Sequence, residues 1–507
     1  MSLFNSDYQP ISTATPATAA THEPAATSTP VPVKGKAVTY SGTYSVGLVD
    51  VNVPEVVKDD DVVVKITATT LCGSDLHLWH GEATGIAAGT VLGHECVGIV
   101  DKVGSAVKNL KEGDRVVVAS NIACGECRFC KQKITSMCER TAQSIADLRG
   151  STGQRTPESF GCGHLPGKMP GAQAEYARVP VADFNCLKIP DEVPDEKGIK
   201  ATSNGVKQYI QTDAVYINSI VPLRRIKDTG IKDGDIVGIW GLGPIGQAAV
   251  RFAALAGARR IYAIDKLDSR LALARQGAKP GVVQTINYQQ LEELDDVVEF
   301  IQAKCPEGLD CAIDATSTHE PKSLLHKAEK VLRLESDNPN VVNECIRSVR
   351  KMGRVGVVSS YPGAMNHFNM GAVMEKGIRL FGNGTPPVHL YWQEILDKIV
   401  SDELDPTFLI TQRIRLEDVP DFYPVWASRV PSIQKVFAVT RFGPEKAHPG
   451  TPALTSNQQL ERLDGGRRRS SLLVTVQQMG GRRRSSFLQS MLSEGKTYLD
   501  KALGTAQ

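Results

Sequence analysis

The chain has no run of eighteen or more apolar residues, so no segment reads as a membrane span. Neither sign of charge is in excess: 58 Lys and Arg face 56 Asp and Glu, a formal net charge of +2. No overall field therefore favours nucleic acid, and a charged partner would need a local site. The first 33 residues hold no lysine or arginine, include Asp7 and Glu23, and have no continuous apolar core. That pattern excludes a secretory signal and an arginine-rich presequence, and the Thr/Ala/Pro bias reads as a disordered tail. The expectation is a cytoplasmic protein. There, cysteines serve as metal ligands or core residues more often than as disulfides.

The 507 residues exceed one compact core, and hydrophobic content of 41% is that of an ordinary globular protein. Residues 34–225 alternate short β-branched runs with Gly and Pro, as in "DVVVKITATT" and "DRVVVAS", which predicts a β-rich domain. Residues 226–375 alternate apolar runs with helical patterns and predict βαβ units around a parallel sheet. Residues 376–445 return to the first type, and 446–507 form a basic, Ser-rich tail. Within that tail "GGRRRSS" occurs twice, and its serines suit a basophilic kinase as partner.

Cysteines are few, eleven in all, yet four fall within "CGECRFCKQKITSMC". Cys124, Cys127, Cys130 and Cys138 have the spacing at which tight turns aim successive thiolates at one point. A closed, structural zinc site is expected, with an iron–sulfur cluster disfavoured by the longer last gap. A second constellation pairs Cys72, at the end of an apolar run, with His94 in "VLGHECVG". One thiolate and one imidazole are two of the three protein ligands that an open zinc site needs, and Glu95 is a supporting or exchangeable ligand. Taken alone, a buried Cys and a turn His are more often structural than metal ligands. Ser74 and His77 follow Cys72 closely enough to pass a proton outward. His80 is left without a role.

The strongest local signal is "DIVGIWGLGPIGQAAVRFAALAGARRIYAID". Gly241, Gly243 and Gly246 follow a strand and open a helix, and Asp265 ends the next strand. The three glycines serve the tight turn, the approach to pyrophosphate and the helix–strand contact, while Asp265 favours the free ribose hydroxyl of NAD.

Together, "CGSDLHLWHG", "GHE", the four-cysteine lobe, "GAQAEYARVPVADFN", the glycine run and "NHFNMGAVMEKG" resemble the zinc-dependent medium-chain alcohol dehydrogenases. The similarity is strongest to the glutathione-independent formaldehyde dehydrogenase branch. It implies an α/β fold, with a β-rich GroES-like catalytic domain and a doubly wound Rossmann domain. It also implies one structural and one catalytic zinc, NAD, a homo-oligomer, and hydride transfer from a small alcohol or aldehyde hydrate to NAD. By the resemblance, Cys72 and His94 are catalytic zinc ligands, Glu95 is the neighbouring acid, Ser74 takes the substrate proton and His77 relays it.

The chain departs from the family at "GIKATSNGVKQYIQTDAVYINSIVPLRR", residues 198–225. The resemblance implies a third zinc ligand in this interval, where the only acid is Asp213 and no cysteine occurs. Either a diverged helix offers Asp213, or the segment is foreign to the enzyme, such as a translated intron. The second reading would make the chain a catalytically impaired NAD- and zinc-binding protein with a regulatory or scaffold role.

Overall fold

Val62–Leu71, "VVVKITATTL", is apolar along nearly its whole length and buried on both faces, the pattern of a strand in the middle of a sheet. It is the centre of the first of two large sheets in the computed structural model. The structure describes residues 34–81, 86–141, 158–161, 169–190, 228–291, 296–316, 337–359, 361, 365–382 and, with short gaps, 387–456. Residues 198–225, including Asp213, and both GGRRRSS copies of the C-terminal tail lie outside the described residues.

The strands are β1 (Lys34–Gly42), β2 (Ser45–Asn52), β3 (Val62–Leu71), β4 (Cys96–Val103), β5 (Arg115–Val118), β6 (Tyr176–Val179), β7 (Cys186–Lys188), β8 (Ile236–Trp240), β9 (Arg260–Asp265), β10 (Val283–Asn287), β11 (Leu309–Asp314), β12 (Val349–Val357), β13 (Arg379–Gly382), β14 (Ile410–Arg415) and β15 (Lys435–Val439). The helices that matter below are α1 (Gly73–Trp79), α2 (Arg128–Lys131), α3 (Ala182–Asn185), α4 (Pro244–Leu255), α5 (Asp268–Arg275), α6 (Val297–Lys304), α7 (Asn340–Ser348), α8 (Met370–Lys376), α9 (Val388–Val400) and α10 (Val419–Ala427).

The first sheet has the order β14-β15-β3-β4-β5-β7, with β6 also paired to β3 and every pair antiparallel except β14–β15. β1 and β2 form a separate hairpin. The C-terminal strands thus return beside β3, and β15 pairs with the end of β3 from which Cys72 emerges.

The second sheet is six-stranded and wholly parallel, ordered β10-β9-β8-β11-β12-β13. The order runs outward in both directions from β8 and β11, a doubly wound arrangement whose ligand crevice lies outside the strand ends at that reversal. The sheet includes β13, past residue 375, where the sequence pattern predicts the end of this domain. The short run "RLFG" carries too little pattern to separate it from the segment after it. One apolar cluster joins the two sheets: Ala68, Val97 and Val117 of the first pack in the same core as Val237, Ile239 and Ile313 of the second and Ile395 and Ile399 of α9.

Candidate active site and metal centres

β3 ends at Leu71, and the chain turns at once into α1, with Cys72 as the residue capping it. The cap is closed by Asp75, whose Oδ2 accepts the Cys72 N–H at 2.9 Å. Across the sheet, Thr69 Oγ1 donates to the Glu95 carbonyl at 2.8 Å, which ties the 92–95 loop to the end of β3. Gly93 supplies the turn with φ +90°, and any Cβ there would strike Gln173 at 2.5 Å. These local constraints gather Cys72, His94 and Glu95 so that one donor atom of each lies within 4.8 Å of the others.

Ser74 Oγ lies 3.3 Å from His94 Nε2, so the hydroxyl borders the imidazole nitrogen that faces the Cys72 side of the cluster. The other nitrogen, Nδ1, faces Asp75 Oδ1 at 3.6 Å. Burial pushes the Asp75 carboxyl up, against the pull of His94 and the Cys72 amide. Glu95 is equally buried, but Lys435 of β15 reaches it at 2.6 Å and, with His94, brings its carboxyl below the usual range despite burial. Thr70 Oγ1 donates to the same carboxylate oxygen. His77 sits one turn after Ser74 on α1, half-buried and on the same face. His80 packs edge-on against Tyr44 at 5.7 Å, a packing role.

The site also contains Asp75, Gln173, Tyr423 and Lys435, which the sequence reading does not single out. Asp75 has a signal, because it stands three residues after the capping Cys72. Gln173 Nε2 donates to Asp75 at 3.0 Å and Tyr423 donates to Gln173 Oε1 at 3.1 Å, contacts 98 and 250 residues apart in sequence that no local pattern reveals.

The Sγ atoms of Cys124, Cys127, Cys130 and Cys138 form the second cluster within the same 4.8 Å limit. Gly125, at φ +75°, permits the turn between the first two, and α2 carries the third. The Cys127 amide donates to Cys124 Sγ at 3.3 Å, and Cys127 and Cys130 Sγ are 3.5 Å apart. Burial raises the Cys127 thiol, yet nearby backbone N–H groups outweigh it and bring it down to about 6. A thiolate-ready, fourfold sulfur set fits a tetrahedral zinc with no open position.

At the reversal of the second sheet, Gly241 follows β8 with φ +83° and Gly243 caps α4, whose first residue is Pro244. A Cβ on Gly246 would lie 1.9 Å from the Gly241 carbonyl oxygen, so the helix approaches the strand as only glycine permits. Asp265 ends β9 and accepts N–H groups from Leu242, Lys266 and Leu267 at 2.8, 2.7 and 3.0 Å, fixing its carboxylate beside the glycine turn. Arg270 Nη1 lies 3.7 Å from it. This cradle fits a dinucleotide, with amides at a helix N-terminus for pyrophosphate and an acid for the ribose.

Comparison with known proteins agrees with this geometry. The family model of the alcohol dehydrogenase GroES-like domain matches residues 58–191, and that of the zinc-binding dehydrogenase matches residues 244–401. A zinc-type alcohol dehydrogenase-like protein of Schizosaccharomyces pombe is 37% identical over 76% of this chain and 87% of its own length. A glutathione-independent formaldehyde dehydrogenase of Pseudomonas aeruginosa is 29% identical over 74% of this chain and 88% of its own. Among solved structures, the alcohol dehydrogenase of Thermus sp. ATN1 aligns with a TM-score of 0.62 at 27% identity, covering 80% of this chain and 100% of that one. With two cysteine-bearing clusters on a GroES-like sheet and an NAD cradle on a Rossmann sheet, the chain belongs to the zinc-dependent alcohol dehydrogenase family.

Proposed function

We propose that this oxidoreductase oxidises a small alcohol or aldehyde hydrate with NAD at the site built on Cys72 and His94. The observation that carries the reading is the convergence of Cys72, His94 and Glu95 with Ser74 Oγ 3.3 Å from His94 Nε2. Zinc held there would acidify a substrate hydroxyl and orient its carbon toward the nicotinamide. Ser74 then takes the hydroxyl proton, and His77, a turn further out on α1, passes it toward solvent. Asp75 holds His94 with Nε2 facing inward, and Lys435 keeps Glu95 charged but occupied, so Glu95 is an exchangeable ligand. Asp213 remains the candidate for the third fixed ligand. Asp265 favours NAD over NADP, because its carboxylate would repel a 2′-phosphate.

The names of the formaldehyde-acting relatives support formaldehyde hydrate as the first substrate to try. A homo-oligomer is supported by the edge of β13, which no strand among the described residues pairs, and by the exposed Met352, Met370 and Met374.

The test is NADH formation from formaldehyde and short primary alcohols, together with zinc content. Two zinc ions per chain and turnover are expected. Cys72→Ser should lose activity and one zinc, Ser74→Ala should keep both zincs and lose about a hundredfold in kcat, and Asp213→Asn should lose one zinc. One zinc per chain in the unsubstituted protein, with no turnover of any of these substrates, overturns the reading.

A further inference from the structure

At the carboxyl ends of β11 and β12 a buried carboxylate that the metal chemistry does not use gathers four hydrogen bonds. Asp314, the last residue of β11, is fully buried. Its Oδ1 accepts from Thr316 N at 3.1 Å, Thr316 Oγ1 at 2.7 Å and Ser359 Oγ at 2.5 Å. Its Oδ2 accepts from the Tyr361 hydroxyl at 2.7 Å. Its main-chain carbonyl also takes the N–H groups of Val358 and Ser359, at 2.8 and 3.1 Å. One residue therefore binds the segment after β11 to the segment after β12. Burial, and then the adjacent carboxylate, push the Tyr361 hydroxyl far above its ordinary value, so it stays a proton donor.

The position gives this hub a function. β11 lies beside β8 at the reversal of strand order, where the dinucleotide crevice opens. A Cβ placed on Gly241 would lie 2.8 Å from the Ala315 carbonyl oxygen and 2.9 Å from Thr316 Cα, so the segment held by Asp314 packs directly on the glycine turn. Asp265, at the end of β9, marks the adenosine half of the crevice over β8–β10. The other mononucleotide falls over β11 and β12, where Thr316 and Tyr361 are only half-buried. We propose that Asp314 is a positioning residue for the nicotinamide half of the cofactor, fixing Thr316, Ser359 and Tyr361 as the floor beneath it. This inference rests on the assignment of NAD to the crevice.

The experiment is calorimetric titration of the zinc-loaded full chain with NAD and, separately, with ADP-ribose, which reports the glycine turn and Asp265 without a nicotinamide. Asp314→Ala should weaken NAD about thirtyfold or more and ADP-ribose less than about threefold. In Asp314→Asn the amide oxygen can replace Oδ1 for Thr316 and Ser359, leaving only Tyr361 without its acceptor. Asp314→Asn and Tyr361→Phe should therefore each weaken NAD by about fivefold, and the double variant should add little to either. Equal losses for NAD and ADP-ribose would mark a general structural role and overturn the proposal, as would unchanged NAD binding in Asp314→Ala and Tyr361→Phe. If the unsubstituted protein binds neither ligand, the NAD assignment itself falls, and this inference with it.

Discussion

Lys435 and Glu95 are the most deeply buried ion pair in the site, with side-chain exposures of 3% and 4%. Such a pair adds little net stability over an apolar pair, but removing one partner strands a charge in the interior. Lys435→Met should therefore destabilise the fold by about 3–5 kcal/mol. The double variant Glu95→Gln/Lys435→Met should recover most of that loss, by denaturant unfolding. If both single variants are as stable as the parent, the pair is not the constraint its burial suggests. Cys72, His94, Glu95 and Ser74 are legible in the sequence because each lies in a short run with recognisable chemistry. Lys435 is not, since it sits 340 residues from its partner and meets it only because β15 returns beside β3.

Elements place these residues with different tolerances. The α4–β8 contact has none at Gly246, where a methyl group would overlap the Gly241 carbonyl oxygen. Gly246→Ala should push the helix away from the strand, cost about 1–3 kcal/mol by overpacking, and abolish measurable NAD binding while leaving both zinc sites filled. The glycine turn is readable from sequence because its spacing states its own geometry. The docking of the four-cysteine lobe is not. His389 of α9 meets Thr135 of that lobe through Nδ1 and Oγ1 at 2.8 Å, and stacks on Phe184 of α3 at 4.7 Å. Burial, reinforced by Lys133, depresses His389 to about 4 from 6.5, against one backbone contact at Phe184 that raises it. The folded state therefore prefers the neutral ring. Its contribution is intact above about pH 6.5, is lost as pH falls toward about 4, and amounts to at most about 3 kcal/mol. His389→Gln should flatten the decline of the melting temperature between these limits relative to the parent. Parallel declines in the two proteins would refute the assignment, whatever thiolate protonation adds to both.

For the molecule as a whole, the shared core sets how the two sheets respond to ligands. Had the GroES-like and Rossmann sheets packed only in separate cores, cofactor would stabilise only the second. Each sheet has a cluster of its own, but residues of β3, β4, β5, β8, β11 and α9 also occupy one shared apolar cluster, so unfolding either sheet exposes part of the other's core. The fold class is legible from the alternation of strand and helix patterns, but this fusion is not, because no single segment records which faces meet. It predicts one cooperative transition for both sheets. Trp79 belongs to the cluster around β1 and β3, and Trp240 ends β8. In each variant that keeps one of these as its sole tryptophan, out of four in the chain, the fluorescence of that tryptophan and far-UV circular dichroism should report the same melting temperature. Saturating NAD at about a hundred times its Kd should add about 2.7 kcal/mol to both reports alike. If NAD raises the transition seen by Trp240 and leaves that seen by Trp79 in place, the sheets unfold independently. The shared apolar cluster would then be a contact surface that does not couple the two sheets.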